Sequence, residues 1–424
     1  MTEKVDQKYA DDKPQAPVNL PRKINRRRWL AGAAAAASIA LIRTATGQTI
    51  HAAVSGNGAD TTRLPGPAPG KLGHKSSFEH LQKTTSDTSS RTPLQDLYGM
   101  ITPSDLHFER HHSGVPVIDP LKYTLTIHGM VDRSTTFTLA DLRRFPSVSR
   151  ICFIECSGNF RTGKETLTPQ DLCGLTSQSE WTGVMLSTLF REVGASPKAS
   201  WFLAEGSDAA LMTRSIPMHK GWDDAMIVYG QNGEALRPEQ GYPARLLLPG
   251  WEGNTSIKWL RRIEIADQPF MTREETSKYT ETVRDGKIRQ FSFDMDARSI
   301  ITFPAYPVQL PKGWVEIRGL AWSGRGKIRQ VEVSTDAGKT WRPAKLQDPI
   351  LDKAHTVFRY LWYWNGNETE ILSRATDETD YVQPTLAQLI EARSAEMGGY
   401  HLNPVTAWNI KSDGRVLFKP EKWR

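Results

Sequence analysis

Cysteine is scarce in this chain: three occur among 424 residues, at positions 152, 156 and 173. An odd count leaves at least one thiol without an intramolecular partner, even in an oxidising compartment. Cys152 and Cys156 lie on one extended segment, roughly 13 Å apart at about 3.3 Å per residue, which excludes a disulfide between them. A Cys152–Cys173 bond stays open. The C-x3-C-x16-C spacing matches no common zinc site, and no C-x-x-C-H segment is present to hold a c-type haem.

Long apolar runs are missing as well. Leu30 to Ile42 is uncharged and rich in Ala, but a membrane-spanning helix needs about 20 apolar residues. No internal repeat with a period of roughly 20–50 residues occurs. Net positive charge is small beyond the N-terminus. The formal net charge is +7, and residues 1–47, with nine Lys/Arg against four Asp/Glu, hold +5 of it. The +2 left over gives no basis for a nucleic-acid partner.

What is present begins with Asn25-Arg26-Arg27-Arg28-Trp29-Leu30 ahead of the Ala-rich run. A basic segment, a short apolar stretch and small residues after it make a signal peptide, and the arginine pair before an aromatic gives it the twin-arginine form. Residues 1–47 are therefore expected to direct export to the periplasm, with cleavage near Ala45 to His51. That route carries proteins already folded, often around a cofactor. Residues 48–92, rich in Gly, Pro, Ser and Thr without periodicity, are expected to form a linker or surface arm.

Ordered sequence is expected from Thr92-Pro93. Gly (32) and Pro (26) are plentiful, which favours short strands and turns over long helices. Strands are predicted at Tyr123 to Gly129, Ser149 to Glu155, Ala244 to Pro249 and Ile257 to Ile265. Helical patterning occurs at Thr138 to Leu142 and Gly183 to Val193. Mixed elements without βαβ alternation point to an α+β domain over 93–298. From Ser299 the texture changes to alternating strands (WVEIRGLAW, IRQVEVS, FRYLWYW) with a hairpin turn at Asp336 to Lys339. No helical pattern accompanies them, which predicts a β-sandwich over 299–424.

Three stretches carry candidate chemistry. In FIECSGNFRTG, residues 153–163, an alternating strand places Cys152, Ile154 and Cys156 on one face and Phe153 and Glu155 on the other. Cys156 is the last of its row, where a Ser-Gly-Asn turn presents it, and Arg161 would favour its thiolate. His107 to His112 groups three histidines without metal-ligand spacing, which fits hydrogen bonding or phosphate contact better than ligation. In Gly241 to Lys258, Arg245 and Lys258 bracket a strand and a Gly-rich loop, an arrangement suited to an anion.

These stretches, with the tail IRGLAWSGRGKIRQVEVSTDAGKTW, resemble the cofactor-binding segments and immunoglobulin-like dimerisation domain of the sulfite oxidase family of molybdenum enzymes. Within it they are most similar to the molybdenum subunits of sulfane dehydrogenases. The resemblance covers about residues 93–424. It implies a mixed α/β molybdopterin-binding domain followed by an immunoglobulin-like sandwich, and a cofactor with one molybdenum and one pterin dithiolene.

By the same resemblance, Cys156 matches the molybdenum-ligating thiolate. Arg110 and Arg161 match arginines of the oxyanion pocket, and Tyr279 takes the place of the family's catalytic tyrosine. Phe108, Glu109, Arg110, His111, His112, Asp208, Arg245, Ser256, Ile257 and Lys258 match pterin and phosphate contacts. Gln240 stands where sulfite oxidases carry a histidine, and the usual Asp-Tyr-Lys context of the tyrosine is replaced by Ser277-Lys278-Tyr279-Thr280.

The activity implied is periplasmic oxidation of sulfane sulfur held on a carrier protein, with oxygen drawn from water. Electrons would pass to a c-type cytochrome subunit, of dihaem type, because no haem domain is present. The C-terminal domain implies a homodimer and, with that subunit, a heterotetramer. A sulfite:cytochrome c oxidoreductase of the same fold, a sulfoxide reductase and a non-catalytic exported β-rich binding protein are the alternatives. The reductase group generally lacks the C-terminal sandwich expected here.

Overall fold

The computed structural model describes residues 68–283, 286–394 and 397–420. The export signal expected at residues 1–47 lies outside them. Lys75–Arg424 form one compact unit. Of the preceding unit, residues 68–74 are exposed and belong to no helix or strand.

Among the described residues, two five-stranded sheets, a three-stranded one and a two-stranded one build the first half of the compact unit. The cysteine strand, Val148–Glu155, pairs antiparallel with Thr176–Met185, which pairs with Met226–Gln231; the short strand Arg245–Leu247 completes that sheet's site-facing part. The second sheet has Leu260–Ala266 at its centre, parallel to Thr124–Gly129 and antiparallel to Trp201–Gly206. Helix Leu186–Val193 packs one apolar face into the core that joins the two sheets, with Leu186, Leu189, Phe190 and Val193 buried.

The second half is a sandwich of a four-stranded sheet, containing Arg298–Phe303, Gly313–Trp322 and Thr356–Trp364, and a five-stranded sheet containing Ile328–Ser334 and Thr369–Asp377. The hairpin at 336–339 occurs where expected. The Asp336 carboxylate accepts from the Thr340 N–H (2.9 Å), and Ala337 and Gly338 take left-handed φ.

The expected α+β arrangement is the one observed, sheet-rich with few helices. Four local expectations change. Gly183 to Met185 continue a strand, because they pair with Met226–Val228, and the helix begins only at Leu186. The strand expected from Ile257 starts at Leu260, since Trp259 adopts φ +52 and Lys258 and Trp259 are turned toward a pocket. The Ser/Thr-rich end of the expected linker is ordered. Thr84–Thr85 and Ser89–Arg91 pair with each other, and Ser89–Arg91 pairs with Glu109–Arg110; the Thr92 hydroxyl lies 2.6 Å from that of Ser177. The sandwich half also contains a helix, Leu386–Arg393, capped by a reciprocal Thr385–Gln388 box. The sequence signal for it was Thr-x-x-Gln ahead of apolar residues.

The cysteine strand is where the two halves meet. Its Phe153 packs into the core of the sandwich, whereas Cys152 and Ile154 face a separate core beneath the pocket. Cys152 and Cys173 are separate buried thiols in different cores. Glu155 ends the Phe153 row with its side chain 1% exposed. It accepts from Arg298 (2.6 Å), the Trp322 indole N–H (2.7 Å) and the Asn159 amide (3.0 Å). Breaking one side of a buried ion pair leaves an uncompensated charge. Arg298→Met should therefore cost about 3–5 kcal/mol of unfolding free energy, and the double variant Glu155→Gln/Arg298→Met should recover part of that loss. Urea titrations of both variants check this; equal stability of Arg298→Met and the native chain would contradict it.

Candidate active site

The turn after the cysteine strand is built by its own polar residues. The Asn159 N–H donates to the Cys156 carbonyl (2.9 Å), closing a tight turn. The Asn159 side chain then bridges Glu155 and the Leu175 N–H (2.8 Å), so the Ser-Gly-Asn sequence fixes the direction of Cys156. A second loop presses against it from 252–256. A Cβ on Gly253 would lie 2.7 Å from the Glu155 carbonyl oxygen, so only glycine allows this approach. Asn254 ties the two loops through the Ser157 hydroxyl (3.1 Å).

Cys156 lies half-buried in a pocket of about 360 Å³. Burial pushes its thiol pKa up, while the Gly158 backbone N–H and the charge of Arg110 pull it down. Arg110 therefore has the electrostatic role expected of Arg161. Arg161 is exposed and is not part of the pocket lining: its backbone N–H donates to the Leu172 carbonyl (3.0 Å), which carries the chain away from the pocket. Arg110 is delivered by the strand pairing with Ser89.

One end of the pocket is strongly cationic. Arg245 is 3% exposed and donates only to carbonyl oxygens, those of Gln240 (3.0 Å), Ser256 (2.8 Å) and Leu246 (3.4 Å). Burial pushes its pKa down to about 9. The Lys258 ammonium donates to the carbonyls of Arg110 (3.2 Å) and Glu239 (3.0 Å) and to His111 Nδ1 (2.8 Å). Burial and the neighbouring Arg245 lower its pKa well below the usual lysine value. Among the described residues neither cation has a carboxylate within ion-pair distance. A buried cation pair held by neutral acceptors is an anion site.

The remaining expected residues divide clearly. Phe108, His111, His112, Asp208, Gln240, Ser256, Ile257 and Tyr279 line the pocket with Cys156 and Arg110. Glu109 stands behind it, accepting from His111 (2.9 Å) and Lys83; these bonds hold its carboxyl down to about 2. Gln240 donates to the Phe108 carbonyl (2.9 Å), the Ser256 hydroxyl accepts from the Leu248 N–H (3.0 Å), and Asp208 accepts from the Met212 N–H (3.0 Å). Tyr279 reaches the pocket from a wide helical turn, Glu274–Lys278, which Glu275 anchors on Arg214 (2.7 Å). Its hydroxyl lies 3.1 Å from His112 Nε2, and burial and its neighbours Cys156 and Glu252 push its pKa up.

The sequence placed His107 in the histidine cluster without a role of its own and did not mark Asn254 and Tyr400 as lining residues. The Nδ1 of buried His107 lies 3.0 Å from the Phe108 carbonyl, so Nδ1 holds the proton and Nε2 keeps a lone pair without a partner among the described residues. Burial lowers its pKa to about 3, which keeps the ring neutral. Asn254 Oδ1 is likewise buried without a partner among the described residues. His107 stood inside the histidine cluster, but nothing in the local pattern marked it as the deepest of the three. The Ser-Lys context of Tyr279 hid nothing structural, whereas Tyr400 comes from the far end of the chain.

A larger cleft of about 980 Å³ lies at the joint of the two halves. Its lining holds ion pairs such as Arg325–Asp296 (2.7 Å) and no cysteine. Among the described residues no three His, Cys, Asp or Glu side chains are grouped to hold a metal ion, and no helix is long and apolar enough to cross a membrane.

Residues 112–274 match the family model for the oxidoreductase molybdopterin-binding domain, and residues 289–407 that for the Mo-co oxidoreductase dimerisation domain. The sulfite oxidase of Gallus gallus is 30% identical over 317 residues, 67% of this chain and 68% of that protein. The NADH nitrate reductase of Ulva prolifera is 29% identical over 70% of this chain, but the match spans only 40% of its own length. The crystal structure of the sulfane dehydrogenase SoxCD from Paracoccus pantotrophus is similar at 40% identity and a TM-score of 0.78, covering 89% of this chain and 98% of that one.

The residues present fit a molybdenum–molybdopterin group. A single half-buried thiol can complete the ligand set of a metal carried by a dithiolene, two unneutralised buried cations suit a phosphate, and the orphaned His107 Nε2 and Asn254 Oδ1 are acceptors for ring N–H groups. In the cofactor-free protein, isothermal titration should show inorganic phosphate binding weakened roughly ten- to hundredfold by Lys258→Met, as expected for a hydrogen bond to a charged group. Because only protonated Lys258 pairs with the anion and its pKa is depressed, native affinity should fall as pH is raised. Phosphate affinity independent of both Lys258 and pH would contradict the assignment.

Proposed function

Because the chain belongs to the sulfite oxidase family of molybdopterin-binding oxidoreductases, and is a molybdenum-dependent dehydrogenase, we propose that its substrate is sulfane sulfur on a carrier, oxidised in the periplasm with electrons passed to a c-type cytochrome. The observation that carries this reading is the similarity to the sulfane dehydrogenase, higher in identity and coverage than that to sulfite oxidase. The pocket agrees with it. Free sulfite calls for a small, tightly basic site, and Arg161 lies outside the lining, leaving Arg110 as the arginine beside Cys156.

When bound, the molybdenum–pterin group supplies two-electron oxygen-atom transfer. The chain contributes the rest. Cys156 would hold the metal through its sulfur as thiolate; burial opposes that charge, and the Gly158 backbone N–H and Arg110 favour it. Arg245 and Lys258 neutralise the phosphate end; the carbonyls of Gln240 and Ser256 hold Arg245 in place, and those of Arg110 and Glu239 hold Lys258. Arg110 holds the anionic sulfur group, and the Tyr279 hydroxyl, oriented by His112, donates to the oxygen of the product. Each oxygen atom added to sulfur comes from water and releases two protons and two electrons, which leave through the cytochrome. The C-terminal sandwich is the surface for a homodimer, giving a heterotetramer with the cytochrome subunits. The twin-arginine signal supports export after cofactor loading.

The test is protein purified from the periplasm of an exporting host. It should contain about one molybdenum per chain, the stoichiometry of one thiolate-completed site, and should turn over carrier-bound persulfide faster than free sulfite. Preference for sulfite would favour the sulfite:cytochrome c alternative, and absence of molybdenum would remove the reading altogether. Cys156→Ser should keep its circular dichroism spectrum and lose turnover.

A further inference from the structure

Two tyrosines flank Cys156, and they are held in opposite ways. Tyr279 is clamped: its hydroxyl meets His112 (3.1 Å), and its ring lies 5.0 Å from the guanidinium of Arg214, itself paired with buried Glu252 (2.8 Å) and Glu275 (2.7 Å). Tyr400, from the segment between helix Leu386–Arg393 and strand Ala407–Ile410, meets the Tyr279 ring at 5.5 Å. Its side chain makes no hydrogen bond among the described residues. A Cβ on Gly158 would stand 3.9 Å from the Tyr400 ring, so that ring lies over the turn that presents Cys156.

The chain on the two sides of Tyr400 differs in the same way. After it, His401 is fixed: its N–H donates to the Ser157 carbonyl (2.8 Å), its Nε2 faces Glu252 (3.3 Å), and its carbonyl accepts from Arg393 (3.0 Å). Before it stand Gly398 and Gly399, where an added Cβ would meet nothing within 4 Å. A ring with an anchored C-terminal neighbour and two unhindered glycines on its other side can turn without breaking the anchor.

We propose that Tyr400 is a specificity-determining residue, a ring hinged at Gly398-Gly399 that leaves room for a small oxyanion beside Cys156 and must swing aside for sulfur borne on a larger thiol. This rests on the substrate class given above. Tyr279, packed against it at 5.5 Å, is the fixed neighbour, and Tyr400 is the ring of the pair that can move.

Access can be measured without catalysis. In the cofactor-free full chain, the alkylation rate of Cys156 is followed by peptide mass with iodoacetamide and with a bulky fluorescein maleimide; Cys152 and Cys173 are 0% and 2% exposed and are resolved as separate peptides. Tyr400→Ala should raise the bulky-to-small rate ratio severalfold. Tyr400→Phe, which keeps the ring, should stay near the native ratio, and Gly398→Ala/Gly399→Ala should lower it. In the holoenzyme, Tyr400→Ala should raise kcat/KM for glutathione persulfide relative to sulfite. Ratios unchanged in both the Ala and the double-Ala variants, or Phe behaving like Ala, would overturn the proposal. Either result leaves the molybdenum content untouched, so failure here is distinguishable from failure of the parent reading.

Discussion

The buried carboxylate of Glu155 organises the structure around it. One oxygen takes Arg298 and Asn159, the other takes Trp322, and all of these groups are buried. Arg298 and Trp322 belong to the sandwich, whereas Asn159 closes the turn that presents Cys156. A single side chain thus fixes the joint between the halves and the direction of the thiol. Strand alternation makes this possible: Glu155 points to the sandwich because Phe153 does, and its successor Cys156 points to the pocket because Cys152 and Ile154 do.

Charge is then distributed unevenly around the thiol. Toward Tyr279, buried Arg214 is neutralised by Glu252 and Glu275, and Glu252 also lifts the pKa of His401 above the usual value although burial opposes it. Toward the opposite end, Arg245 and Lys258 are buried without any such partner among the described residues. A folded chain tolerates that cost where a ligand completes the pairing. The neutralised side is the rigid frame, and the unneutralised side is where an anion is received.

Much of the site was legible in the sequence where the signal was local. The alternation ending at Cys156, the cations bracketing residues 245–258 and the histidine cluster each needed only a few neighbouring residues. The errors came where position depends on distant pairing. Arg161 is close to Cys156 in sequence, but its N–H pairs with Leu172 and the side chain stays outside. Arg110 is placed by Ser89, in a stretch whose Ser/Thr composition read as a linker. Tyr400 reaches the pocket through contacts of His401 with Ser157 and Glu252, which no periodicity reveals. The helix at 386–393 carried a readable capping signal that the surrounding strands obscured.

The central claim is that Cys156 is the chain's own ligand to the metal. X-ray absorption at the molybdenum edge tests it most directly, comparing the loaded native protein with Cys156→Ser. The account predicts one fewer sulfur neighbour in the variant, with the pterin sulfurs retained. An identical sulfur shell in the two proteins would contradict it.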